Sequence, residues 1–190
     1  MRMTSIKVLG ILAKQGEHGR HWYEECDLAL RTMCAKEGWP VLHTAAILGI
    51  TSPRVQVSRN ARYTKQYMRH WTLSPDINTH AKLSGLMPMV RSGLERYEST
   101  GEINGPKTSA FASACMGDLS QVVLDVWMAR VLGIDQQAFR RKPVRAKADK
   151  RIRQVAKQLG WQPAQAQAAV WTAVYEANRT QQAPGLHTYF

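Results

Sequence analysis

Two ionisable side chains stand where a folded chain could put them to chemical use. Lys107 follows Ile103-Asn104-Gly105-Pro106 and falls in the first turn of an expected helix. Asp125 comes eighteen residues later, behind the apolar triplet Val122-Val123-Leu124 and at the head of another. A glycine lets backbone come close to a phosphate, and the exposed N–H groups of a helix start attract an anion. Asn104, Gly105 and Thr108 beside Lys107 therefore read as a phosphate-binding turn. Pro106 suits the first helical turn, where its missing N–H costs nothing. Each charged residue also has a plainer reading. Lys107 can be a solvent-exposed lysine of a first turn, and Asp125 a helix N-cap, a position that Asp favours. A cap can also face a site, so the two readings of Asp125 are compatible.

A third feature is electrostatic. Arg140, Arg141, Lys142, Arg145, Lys147, Lys150, Arg151 and Arg153 crowd one short segment in which Asp149 is the only acid. Clustered cations of this kind displace condensed counterions from a phosphate backbone, although a charge run is more often a solvated helix face. The whole chain tips the balance. Its 26 Lys+Arg against 14 Asp+Glu give a formal charge of +12 and favour a polyanionic partner, nucleic acid or an anionic surface.

The elements that must hold these residues are helical almost throughout. Residues Met1 to Ala13 read as a short amphipathic helix: the apolar run is too short for an export signal, and Lys14 and Gln15 stand where a cleavage site needs small residues. Trp22, Cys26, Leu30 and Met33 form one helical stripe over 21–36, broken at Gly38 and Pro40. An apolar helix follows from Val41 to Leu48 and closes at Thr51-Ser52-Pro53, because a residue before proline avoids the α region. Residues 55–71 make the next, with a loop at Leu73-Ser74-Pro75-Asp76, and 80–98 a helix interrupted by Gly85, Pro88 and Gly93. A turn at 99–104 leads into a helix from Gly105 through Phe111 and Cys115 to Gly117. Asp125 caps Val126 to Leu132, which Gly133 ends. Residues 147–159 and 163–179 are two further helices, and 180–190 is an irregular tail. The spacing and composition give no strand, and 190 residues with 44% hydrophobic content suffice for one domain or two small lobes with a proper core.

The stretch Ile103 to Gly133 resembles the helix–hairpin–helix DNA glycosylases, in particular the lysine-bearing 8-oxoguanine type. That family carries Gly-x-Lys at the hairpin, a helix, an apolar run, an Asp, an aromatic or histidine, and an arginine farther along. This chain supplies Gly105, Lys107, the helix through Cys115, Val122-Val123-Leu124, Asp125, Trp127 and Arg130. Ala45 to Arg54 resembles the helix and loop that fill the hole left by an extruded base. Ile103 replaces the usual first glycine of the hairpin, and Trp127 replaces a common histidine.

The resemblance implies an all-α, helix–hairpin–helix glycosylase-like bundle over residues 1–190, two lobes flanking a cleft, with the motif at about 94–117. It implies base excision. Lys107 would attack C1′ and form a Schiff base, and Asp125 would stabilise the oxocarbenium-like transition state. Trp22, Ser52, Pro53, Trp127 and Phe190 would line the pocket for the extruded base. Arg54, Arg130, Arg140, Arg141, Lys142 and Arg145 would join the hairpin in binding double-stranded DNA. The expected substrate is oxidised guanine, or a bulky modified cytosine of phage DNA. The expected protein is a cytoplasmic monomer with no cofactor, no metal and no membrane contact. A helix–hairpin–helix module that binds DNA without catalysis is the competing reading.

Other chemistry finds little support. Three cysteines exclude a disulfide framework or a four-cysteine cluster site. His18, His21, His70, His80, Cys26 and Cys34 lack metal-ligand spacing. No glycine-rich nucleotide loop occurs. Cys115 reads as a small core residue. A membrane-surface protein would need an apolar face opposite the basic run.

Overall fold

The computed structural model describes residues 3–73 and 79–178, and among them there are nine α-helices and no strand. In chain order these are α1 (Ile6–Gln15), α2 (Trp22–Glu37), α3 (Val41–Thr51), α4 (Val57–Leu73), α5 (Pro88–Thr100), α6 (Pro106–Ala114), α7 (Val126–Leu132), α8 (Lys142–Leu159) and α9 (Pro163–Ala177). Short 3₁₀ turns at Glu17–Gly19, Thr79–Lys82 and Gln136–Arg140 join some of them. The all-α expectation holds. No described helix is long and apolar enough to cross a membrane. Phe190, the tail from residue 180 and most of the expected loop at 73–76 lie outside the described residues, and Leu73 itself still belongs to α4.

The described residues form two compact units. One comprises residues 3–24 and 117–178, the other 25–73 and 79–116. In the first, α1, α8 and α9 pack on one another, and α7 packs on α9. Its core holds Leu9, Ala13, Met128, Leu132, Ile152, Val155, Ala169 and Val170. Here α1 contributes its amphipathic face, with Ser5 capping its start by accepting from Val8 N–H at 3.3 Å. Gly16, just beyond α1, has no room for a side chain, because a Cβ there would sit 2.1 Å from the Ala169 carbonyl of α9.

The second unit is organised around α3. Residues Thr44 to Thr51 are all buried, as expected of a helix that is apolar on every side. α4, α5 and α6 each pack against it. Leu30, Cys34, Trp39, Ile47, Ile50, Tyr67, Met68, Val90 and Leu94 fill the core.

Several helix boundaries differ from the sequence reading; α1, expected over Met1 to Ala13, begins at Ile6 and runs to Gln15. The expected helix over 80–98 begins only at Pro88, which takes the first helical position. Gly85 upstream adopts φ +70°, a left-handed conformation no helix continues through. Gly93 does not interrupt α5: it lies on Ile50 of α3, where a Cβ would meet Ile50 Cγ2 at 3.0 Å. α8 starts at Lys142, earlier than the expected 147, with Arg141 extended at its N-cap and a proline in the first turn. The 3₁₀ turn before it, started by the Asp135 carboxylate accepting from Gln137 N–H at 2.6 Å, was not anticipated.

Candidate functional site

Lys107 belongs to the second unit. α5 ends at Gly101 in the left-handed conformation (φ +71°), and α6 is entered through Gly105 at φ +97°, ψ 139°. Two glycines of positive φ thus stand in the connection between the helices, and Pro106 opens α6. Thr108 Oγ1 donates back into the turn, 2.5 Å from the Asn104 carbonyl and 2.9 Å from that of Gly105. Lys107, one residue into the helix, is half-buried. Its ammonium lies 4.9 Å from the Phe111 ring centroid and donates to Ser52 Oγ at 2.5 Å.

Ser52 ends α3, and its hydroxyl donates to the Gly49 carbonyl at 2.7 Å. The contact between Lys107 and Ser52 depends on how closely α3 and α6 approach. At Gly49 a Cβ would stand 2.7 Å from the Thr108 carbonyl and 3.0 Å from Ala112 Cβ, so only glycine fits. A buried polar network fixes the turn behind Ser52. Thr51 Oγ1 donates to Asn60 Oδ1 at 2.6 Å, Asn60 Nδ2 donates to the Leu48 carbonyl at 3.2 Å, and Thr64 Oγ1 donates to the Asn60 carbonyl at 3.0 Å. Beyond it Pro53 is partly exposed, and Arg54 is exposed at φ +58°. One further ionisable group lies near Lys107. The fully buried Cys115 thiol is pushed well above the usual thiol range, first by burial and then by Cys26 beside it, while the charge of Lys107 acts in the opposite direction.

Asp125 belongs to the first unit and is the N-cap of α7, its Oδ1 accepting from Met128 N–H at 2.9 Å. Its other oxygen accepts from the Trp171 indole N–H at 3.2 Å. Trp171 stacks on Tyr175 with ring centroids 4.5 Å apart, and Trp127 meets Tyr175 edge-on at 5.4 Å. The Arg130 guanidinium sits 4.4 Å over the Trp127 ring. Asp125, Trp127 and Arg130 are therefore brought together with Trp171 and Tyr175. Trp22 is a half-buried residue at the start of α2, 5.0 Å from the Tyr23 ring.

The basic segment divides into structural and open cations. Arg145 caps the preceding 3₁₀ turn, donating to the Phe139 carbonyl at 2.8 Å and that of Arg140 at 3.3 Å. Arg151 donates to the Thr4 carbonyl at 2.9 Å, and Arg153 pairs with Asp149 at 2.6 Å. Arg140, Arg141, Lys142, Lys147 and Lys150 remain exposed.

Sequence reasoning passed over Gly49, Thr51 and Asn60, the supports of Ser52, and over Trp171 and Tyr175. A polar Asn60 and Thr64 on the apolar stripe of α4 were the available signal for the network. For Trp171 and Tyr175 it was an aromatic pair four residues apart on α9. Among the described residues no group of His, Cys, Asp and Glu could hold a metal ion.

The chain is thus an all-α protein with a lysine seated at one helix start and a carboxylate capping another. It belongs to a family of unknown function (DUF7178), whose profile matches residues 12–179. No curated protein and no solved structure matches it.

Proposed function

We propose that the chain is a DNA glycosylase with AP-lyase activity that releases a modified base from double-stranded DNA. The seat of Lys107 carries the reading. Its half-buried amine projects from the first turn of α6, next to a glycine turn whose backbone can meet a phosphate, and rests 2.5 Å from Ser52 Oγ. The helix–hairpin–helix glycosylase resemblance supplies the chemistry. As the N-glycosidic bond breaks, positive charge develops at C1′ and a carboxylate, assigned to Asp125, stabilises it. The base leaves with the bonding pair and takes up a proton. The neutral Lys107 amine adds to C1′, loses a proton, and the opened sugar gives a Schiff base. Loss of a C2′ proton then expels the 3′ phosphate and cuts the strand.

Borohydride trapping on a panel of duplexes carrying oxidised guanine, bulky modified cytosines or an abasic site tests this. A covalent adduct that Lys107→Gln abolishes is expected. Wild-type cleavage by the Gln variant would refute the lysine role. The competing reading, a non-catalytic DNA-binding module, is favoured by one observation: both Asp125 oxygens already accept hydrogen bonds within the fold. It expects salt-dependent duplex binding and no product on any member of the panel.

A further inference from the structure

α4 turns Asn60, Ala61, Tyr63, Thr64, Tyr67 and Met68 into the core. Its outward face reads Arg59, Arg62, Gln66 and Arg69, all exposed and spaced by three and four residues. That spacing is a straight line along the helix, about 15 Å from first to last at 1.5 Å per residue. No acidic residue occurs from Val57 to Leu73. Among the described residues, none of the three arginines has a carboxylate within ion-pair distance. Just upstream, exposed Arg54 holds the left-handed conformation that a non-glycine residue adopts at a cost, a strain often found at functional sites. The stripe carries no large apolar side chain among its arginines, so it lacks what a membrane-surface helix would insert.

We infer that this face of α4, Arg59, Arg62 and Arg69 with Arg54 at its head, is a docking surface for the phosphate backbone of duplex DNA. The choice of duplex DNA rests on the reading above. Guanidinium groups suit it because their planar donors match phosphate oxygens and stay charged at every working pH. The surface is separate in sequence from the segment 140–153, three of whose cations are occupied by the fold itself.

The test measures binding of the full-length chain to an unmodified duplex across a salt series. Two variants are compared with wild type: R59Q/R62Q/R69Q, and K7Q/K14Q/K36Q as an equal loss of charge at exposed lysines elsewhere. Circular dichroism checks that each is folded. The α4 variant should flatten the slope of log affinity against log salt by about two to three, one phosphate contact per arginine, and weaken binding at least roughly tenfold. The lysine control should keep a slope close to wild type. An unchanged slope in the α4 variant, equal flattening in the lysine control, or no duplex binding by wild type would each overturn the inference. So would loss of binding to anionic vesicles with duplex binding intact. Failure of the glycosylase reading looks different: duplex binding that depends on α4, with no borohydride adduct on any modified duplex.

Discussion

Ser52 can offer Lys107 only a lone pair, since its own proton is committed to the Gly49 carbonyl. It therefore orients the amine rather than taking a proton from it. Ser52→Ala should slow single-turnover adduct formation roughly tenfold to a hundredfold through lost alignment. Duplex affinity should stay close to wild type and Ser52→Thr should recover part of the rate, and a change confined to affinity would contradict this role. Asp125 allows its two duties to be separated, because Asn caps a helix about as well as Asp. Asp125→Asn should keep the fold and duplex binding but lose base release. Asp125→Ala should in addition cost about 1 kcal/mol in chemical denaturation. Equal loss of binding and release in the Asn variant would leave Asp125 as a cap alone. The types of Lys107 and Asp125 were legible in the sequence. Their immediate partners were not, because Ser52 and Trp171 lie 55 and 46 residues away and reach them only through packing.

Most helix ends could be read from glycine and proline, which act through their own backbone limits wherever they occur. Gly133 and Gly160 end α7 and α8 at φ 66° and 68°. The error over 80–98 has a longer-range origin. Glu98, near the end of α5, reaches back to the Thr79–Lys82 turn: its carboxylate accepts from His80 N–H at 2.8 Å, pairs with the His80 ring at 2.5 Å, and accepts from Tyr67 Oη at 3.0 Å. With the Glu98 side chain only 4% exposed, this contact holds the segment before α5 as a 3₁₀ turn apart from the α-helix, which no local periodicity reports. Glu98→Ala strands two donors and the ring of His80, and should destabilise the second unit by roughly 3 kcal/mol in urea unfolding. A loss below about 1 kcal/mol would mean that the turn is held by something else.

At the scale of the whole molecule, charge and pH act differently. The formal +12 could be read from composition, but its placement needed the fold. The conspicuous run at 140–153 spends Arg145, Arg151 and Arg153 internally, while the arginines of α4, dispersed in sequence, line up only once the helix forms. Stability should carry a separate pH signature. His43 packs among Tyr67, Trp71 and Tyr97, with its Nδ1 3.2 Å from Tyr97 Oη, and burial holds its pKa below 6.5. The unfolded chain takes up that proton more readily than the folded one. The stabilisation is therefore complete above about pH 6.5 and is lost as pH falls toward the lower, folded value. Thermal midpoints measured from neutral to mildly acidic pH should fall, and His43→Phe should flatten the fall. An identical slope in the variant would assign the effect to other groups.

Position 49 works as a gauge on the distance between two helices. A single methyl group there would wedge apart the pair that presents the amine and its hydroxyl anchor, whatever else the chain preserved. A library randomised at that codon and selected for trapping should return glycine alone. Randomising solvent-facing Leu42 on the same helix, 72% exposed, should return nearly anything.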